Sequence, residues 1–195
     1  MKINLIQNKN LKLFKLISKT AEDSGLSVYI VGGYVRDLLM KRAAPTDIDF
    51  VTEGSGIALA QSVAAAIDPE TKVSVFKTYG TAMFRYQGLE LEFVGARKES
   101  YNAESRNPSV EQGTLEDDQK RRDFTINAMA ISLNQESFGE LVDPFHGVED
   151  MEKRILRTPL EPEQTYSDDP LRMMRAVRFA ATLGFSIEEN SLEAI

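Results

Sequence analysis

SVYIVGGYVRDLLMKRAAPTDIDFVT, residues 27–52, is the stretch whose reading decides the fold. SVYIVGG reads as a short buried strand that ends at Gly32-Gly33. YVRDLLMKR reads as a helix beginning directly after the glycines, and Pro45 is expected to break it. TDIDFVT then alternates as a second strand, with Ile48 and Phe50 directed to the core and Asp47 and Asp49 sharing the opposite face. Glycines at a strand end let backbone N–H groups approach a phosphate, and the helix start that follows favours negative charge. Arg36, one turn into that helix, adds a fork-shaped donor for the same kind of ligand.

Two carboxylates one residue apart on one face repel each other unless a cation lies between them. A donor set of carboxylate oxygens without His or Cys suits Mg²⁺, which binds through one or two acids and keeps waters or substrate phosphates as its other ligands. Taken alone, Asp-x-Asp also describes solvated acids on an exposed strand, and Gly-Gly a tight turn. A third acid stands in LELEFVGAR, where alternation puts Glu90 and Glu92 on one face without choosing between them.

Outward from this stretch, Leu11, Phe14, Ile17 and Ala21 recur at helical spacing over residues 9–23. Gly54 and Gly56 open an alanine-rich helix that reaches about Ile67. Strands follow around VSVFK, TAMFRY and LELEFVGA, with Gly80 and Gly88 as turn signals. Residues 97–122 are polar with little periodicity and read as a long loop, a feature that is uncommon in compact domains and tends to be functional or mobile. RDFTINAMAISL is first helical, then strand-like. DPFHGVEDMEKRI is a turn and a short helix, with His146 as a turn residue. Ser167 is expected to cap a long helix, with Asp168 and Asp169 in its first turn, that runs through LRMMRAVRFAATL to Gly184. The expected architecture is α+β: a mixed sheet of about five strands with flanking helices over residues 1–150, then the start of a helical neck over residues 151–195.

Composition narrows the chemistry. The chain has 195 residues, 42% of them hydrophobic and 27% charged. It has no cysteine and one histidine, so a thiol nucleophile, a dithiol centre and a multi-histidine metal site have no side chains to build them. No apolar run approaches the ~18–20 residues a membrane span needs. The opening MKINLIQNKNLKLFK lacks a signal-peptide core, and a soluble cytoplasmic protein is expected. The net charge of −7 is unusual for a protein that grips a polyanion. In FSIEENSLEAI, Asn190 or Ser191 reads as a helix cap, and the chain stops before that helix completes two turns. A segment of a longer protein is therefore expected, with most of any RNA grip outside it.

GGYVRDLLM followed by TDIDFVT resembles the GG-x-x-RD-x-L-L … D-x-D signature of the polymerase-β-like nucleotidyltransferase superfamily. RRDFTINAMA, LVDPFHGVEDMEKRILRT and DDPLRMMRAVRFAATLGF resemble, in order, later motifs of bacterial-type (class II) CCA-adding tRNA nucleotidyltransferases and bacterial poly(A) polymerases. The resemblance implies Asp47 and Asp49 as Mg²⁺ ligands, with Glu92 rather than Glu90 as the third acid. It implies Gly32, Gly33, Arg36, Arg122 and Asp123 around a triphosphate. Arg97 matches an arginine after the third acid, and the 97–122 segment matches a mobile loop. The nucleotide-selecting motif, usually Glu-Asp-x-x-Arg, here reads Asp168-Asp169-Pro170-Leu171-Arg172, with a shorter acid at its first position.

The reaction so implied is attack of an RNA 3′-hydroxyl on the α-phosphate of ATP or CTP, with two-metal assistance and release of pyrophosphate. Asp169 and Arg172 are three residues apart and are expected to share a helix face. An aspartate accepts and an arginine donates, a pair that matches the amino-donor and ring-acceptor edges of cytosine and adenine but not those of uracil or guanine. Arg175 and Arg178 continue at the same spacing, with phosphates, RNA or a structural role as their possible business. CCA addition to tRNA is the leading reading. Poly(A) polymerisation, partial CC- or A-addition, and a degenerate nucleotide- or RNA-binding module are the alternatives.

Overall fold

The computed structural model describes residues 1–43, 45–102 and 105–195, with side chains described outside residues 99–110. Helix α1 (Leu11–Asp23) buries Leu13, Phe14, Ile17 and Ala21, the face its periodicity announces. It leads into strand β1 (Ser27–Val31), and helix α2 (Gly33–Leu39) starts directly after Gly32. Strand β2 (Asp47–Glu53) carries the paired acids, and helix α3 (Gly56–Ile67) opens on Ser55, whose side chain accepts the Ala58 N–H. Strands β3 (Ser74–Phe76), β4 (Thr81–Tyr86) and β5 (Leu89–Gly95) follow where the alternation places them. Gly80 and Gly88 turn the chain between them at φ +63° and +78°.

The polar 97–122 segment is not a structureless loop. It holds a two-stranded hairpin of β6 (Arg97–Asn102) and β7 (Ser105–Gln112), then helix α4 (Leu115–Lys120). The tip at residues 103–104 lies outside the described residues. Hairpin pairing uses backbone groups, so it needs no apolar alternation in the sequence. A capping box between Thr114 and Asp117 starts α4. The chain continues through α5 (Thr125–Ala128), β8 (Ala130–Ser132), β9 (Leu141–Val142), α6 (Gly147–Lys153), β10 (Ile155–Leu156), α7 (Pro162–Asp168), α8 (Leu171–Leu183), β11 (Ser186–Ile187) and α9 (Glu189–Glu193). Among the described residues, no helix is long and apolar enough to cross a membrane.

The main sheet has seven strands in the order β3-β4-β5-β2-β1-β8-β9. That is two more than the sequence suggests, because β8 and β9 are too short to show a period. The sheet is mixed: β2 runs antiparallel to β1 and parallel to β5. On one face Val28, Ile30, Ile48, Phe50, Leu91 and Phe93 pack against α1 and α3, with Phe50 stacked on Phe93 at 4.8 Å between ring centroids. On the other face Val31, Val51 and Ala130 meet Leu115 of α4. A third cluster joins Phe124 and Ile126 to Leu156, Ala176 and Phe185.

Three helix ends differ from expectation. Helix α2 stops at Leu39, and Lys41 adopts φ +54°, so a left-handed turn ends it well before Pro45. Ser167 lies inside α7, and Asp168 ends that helix. Helix α8 is instead preceded by Asp169 in extended backbone, whose Oδ1 accepts the Leu171 N–H. At the other end of the chain, Glu188 rather than Asn190 or Ser191 caps α9, its Oε2 accepting the Ser191 N–H. In each case a neighbouring side chain or turn reaches the free backbone group first, a competition that spacing does not resolve.

Candidate functional site

Period-2 geometry places Asp47, Asp49 and Val51 on the sheet face that α4 covers, and pairing does the rest. In the parallel β2–β5 register Asp47 lies opposite Glu90 and Asp49 opposite Glu92. Asp49 and Glu92 line one cavity of about 210 Å³ together with Thr81, Arg97, Arg121 and Arg122. Asp47 stands at the exposed start of β2, outside that lining. Glu90 is drawn away by Arg85, whose Nη2 reaches its carboxylate at 3.0 Å. The choice between Glu90 and Glu92, open from alternation, thus has a geometric counterpart: one acid is paired across the sheet and the other faces the cavity.

The acids are held against their own charge. Burial raises the Asp49 carboxyl above its ordinary value; Arg122 opposes this, while Asp47 and Asp118 add to it. Glu92 is raised by burial first, then by Asp49 and Glu90, against the pull of Arg97. A cation beside Asp47 and Asp49 would relieve that repulsion, and their oxygen-only chemistry fits Mg²⁺. Among the described residues, no three His, Cys, Asp or Glu side chains converge to hold an ion.

Gly32, directly after β1, lies beside two charged groups of the cavity lining, Arg122 and Asp49. Its backbone adopts φ +73°, ψ −138°. A Cβ built there would lie 3.2 Å from Arg122 Nη1 and 3.4 Å from Asp49 Oδ2. The bare Cα is what lets the strand end approach both groups. Gly33 opens α2, where a Cβ would meet only Arg36 Nη2 at 3.6 Å. Arg122 donates from Nε and Nη2 to Asp118 Oδ2 at 3.0 and 2.8 Å. Arg121 donates to the other oxygen, Asp118 Oδ1. Sequence reasoning missed Asp118 because it sits in the stretch without periodicity. The usable signal was an acid three and four residues before two arginines, which puts all three on one helix face.

The remaining arginines gather elsewhere. Arg36 is buried, with Nη1 donating to Asn127 Oδ1 at 2.8 Å and Nε and Nη2 paired to the Asp37 carboxylate. Its guanidinium lies over the Phe179 ring, 5.2 Å from the centroid. Arg175 and Arg178 lie over the same ring at 5.4 and 4.8 Å, making Phe179 a shared aromatic seat. Arg175 also grips Asp123 Oδ2 with Nε and Nη2 at 2.7 and 2.6 Å, while Asp123 Oδ1 accepts from the Phe124 N–H and from Asn127. These residues form a separate cluster beside the cavity.

Asp169 and Arg172 do not share a helix face, since Asp169 precedes α8. They do stand as neighbours, with Asp169 Oδ2 3.9 Å from Arg172 Nε. Arg172 is buried, and it donates to the carbonyls of Thr165 at 3.3 Å and Arg121 at 2.6 Å. Its planar fork, with five N–H donors, is thereby fixed in one orientation. His146 adopts φ +59° ahead of α6, the turn position expected of it.

Comparison with known proteins matches residues 28–157 to the family model described as the poly A polymerase head domain. The A-adding tRNA nucleotidyltransferase of Aquifex aeolicus (strain VF5) is 43% identical over 166 residues, which are 85% of this chain and 20% of that protein. The CCA-adding enzyme of Lactobacillus helveticus (strain DPC 4571) is 39% identical over 181 residues, 92% of this chain and 43% of that protein. A crystal structure of a tRNA nucleotidyltransferase complexed with a primer tRNA and an incoming ATP analog superposes with a TM-score of 0.79 at 38% identity. That match covers 91% of this chain and 48% of the other. The chain spans a fifth to just under half of the proteins it resembles.

Proposed function

The chain belongs to the poly A polymerase head-domain family, and on that premise we propose that it is the catalytic head of an RNA nucleotidyltransferase that adds C and/or A to the 3′ end of tRNA. The observation that carries this reading is the register that sets Asp49 beside Glu92 on the floor of a cavity walled by Arg122. Within it, residues 1–150 form the transferase head and residues 151–195 begin a helical neck. The absence of cysteine suits a reducing cytoplasm.

Asp47 and Asp49 would hold Mg²⁺, with Glu92 as the adjacent acid. When bound, Mg²⁺ lowers the pKa of an attacking hydroxyl and offsets charge on the leaving phosphate oxygens. The chain's own residues position and neutralise. Gly32 lets a phosphate approach the backbone at the start of α2, and Arg122 supplies positive charge beside it. Arg36 and Arg175 are engaged around Phe179 and Asp123, and they act by shaping the α2–α8 wall; Arg175 and Arg178 are both exposed on α8 and can reach phosphate or RNA from there. Asp169 accepts from the exocyclic amine of cytosine or adenine, and Arg172 donates to the neighbouring ring nitrogen. The carbonyls that hold Arg172 support this by leaving its fork a single orientation.

The test is incorporation of labelled ATP or CTP, with Mg²⁺, into tRNA ending at the discriminator base, using the longest form of the protein. Stepwise addition of C, C and A identifies a CCA-adding enzyme, and A added only to a preformed CC end an A-adding one. Long A-only tails identify a poly(A) polymerase. Replacing Asp47→Ala and Asp49→Ala together is expected to lower the rate by on the order of 10³-fold. A folded wild-type protein that binds nucleotide yet adds none refutes the reading.

A further inference from the structure

We propose that Asp118 is a positioning residue whose task is to hold the Arg122 guanidinium away from Asp49, keeping that carboxylate available to a cation. The inference rests on the nucleotidyl-transfer reading above and concerns how its site stays open.

Asp118 is completely buried, and both of its oxygens are occupied, one by Arg121 and one by two N–H groups of Arg122. A carboxylate in that position is tolerated only because it is paired. Helix α4, which carries it, is pinned on three sides. Its first N–H donates to Glu53 Oε1 at 2.9 Å. The Thr114–Asp117 box fixes its start. Gln119 Nε2 donates to the carbonyls of Ala128 at 2.7 Å and Val142 at 3.1 Å. The helix cannot follow Arg122, so Asp118 is a fixed anchor for a mobile type of side chain.

The competitor for Arg122 is close. Arg122 Nη1 and Asp49 Oδ2 both lie within 3.4 Å of one point, the place where a Gly32 side chain would begin. Two carboxylates thus compete for one guanidinium, and Asp118 wins through a fork of two bonds onto Oδ2. Neutralising Asp118 removes the stronger partner. Arg122 then turns to Asp49, forming an ion pair where a divalent ion would bind. The end of α4 also carries the Arg121 carbonyl that holds Arg172, so α4 serves both ends of the site.

The experiment compares full-length wild type, Asp118→Asn, Asp118→Glu and the double variant Asp118→Asn/Arg122→Gln. Each is titrated with Mg²⁺ alone while the melting temperature is recorded, a readout that needs no turnover. Asp118→Asn is expected to raise the Mg²⁺ concentration of half-maximal stabilisation by about 10-fold. Asp118→Glu keeps the charge but displaces it, and an increase of about 3-fold is expected. The double variant removes the captured guanidinium and is expected to return to within about 2-fold of wild type. Deleting a stranded buried charge can by itself restore stability, so fold damage is read separately from the Mg²⁺-free melting temperature and the proposal from the Mg²⁺ midpoint alone. A folded Asp118→Asn with the wild-type midpoint overturns the proposal, as does a double variant that stays shifted. A wild type whose melting ignores Mg²⁺ overturns it too. If Asp118→Asn does not fold, an unchanged midpoint in Asp118→Glu refutes it. Nucleotide incorporation by the wild-type sample tests the underlying reading separately, since the Mg²⁺ midpoints stand whether or not that RNA is the substrate.

Discussion

Two adjacent glycines in the same motif should respond in opposite ways to the same methyl group. Gly32 holds φ +73°, ψ −138°, a conformation that costs an L-residue about 1–3 kcal/mol. Its Cβ would enter 3.2 Å from Arg122 Nη1 and 3.4 Å from Asp49 Oδ2, so two charged groups must give way to a methyl that offers neither a bond. Gly33 is the first residue of α2, lacks a positive φ, and its Cβ would make an ordinary 3.6 Å contact. Alanine there recovers up to about 0.5–1 kcal/mol of unfolded-state entropy. The two variants should therefore differ by roughly 2–4 kcal/mol in unfolding free energy, measured side by side in urea. In thermal melts that is a separation of about 4–16 °C for a chain of this size. At a temperature where both are folded, Gly32→Ala should also lower nucleotide incorporation by on the order of 10²-fold, because the charged groups it displaces must be placed to within about 1 Å. If Gly32→Ala and Gly33→Ala unfold within about 1 kcal/mol of each other, the close approach of β1 to Arg122 and Asp49 does not constrain residue 32.

Further perturbations address other parts of the molecule. Burial raises the Asp118 carboxyl, but Arg122 and Arg121 outweigh it and leave it below its ordinary value. A group depressed in the folded state contributes stability that is complete above about pH 4 and is lost as pH falls toward its folded value. Asp118→Asn should thus cost about 3–5 kcal/mol at neutral pH and flatten the acid limb of a pH-unfolding series; an unaltered limb would assign that limb to other acids. Gly56→Ala would push a Cβ to 2.6 Å from the Gly95 nitrogen, and a loss of about 2–3 kcal/mol is expected in urea titration. Arg172→Ala removes the donor half of the proposed base-reading pair, so competition between CTP and UTP should lose at least about 10-fold in selectivity; unchanged selectivity would remove Arg172 from that role.

What could be read from the residues followed from short-range geometry. Alternation in TDIDFVT put both acids opposite Ile48 and Phe50, and the packing of Phe50 on Phe93 bears that out. The face of α1 emerged in the same way, from Phe14, Ile17 and Ala21. What stayed hidden depends on which strands are neighbours. Alternation treats Glu90 and Glu92 alike, and only the pairing with β2 and the Arg85 contact separate them. The hairpin of β6 and β7 was invisible because its pairing is satisfied through backbone. Asp118 was overlooked for the same reason that it matters: a buried ion pair has no hydrophobic period to mark it. The first N–H of α8, at Leu171, is met by Asp169 rather than by Ser167, since helix α7 continues through Ser167 before the chain breaks. Spacing expects Arg36 to face a phosphate and leaves Arg175 between phosphate, RNA and a structural role; it could not show the contacts both make with Asp37, Asn127, Asp123 and the Phe179 ring.

Strand β2 occupies the middle of the seven-stranded sheet, bonded to β1 on one side and β5 on the other. Its amide protons are bonded alternately into the two ladders and none faces an open edge, so Ile48 to Thr52 should number among the slowest-exchanging amides in the chain. Helix α8 is held by one face only: Arg172 and Ala176 are buried, while Leu171, Met174 and Val177 are exposed along it. The molecule should therefore lose order from the arginine-bearing helices inward. Partly opened forms keep the two acids in register long after the side chains that surround a ligand have let go.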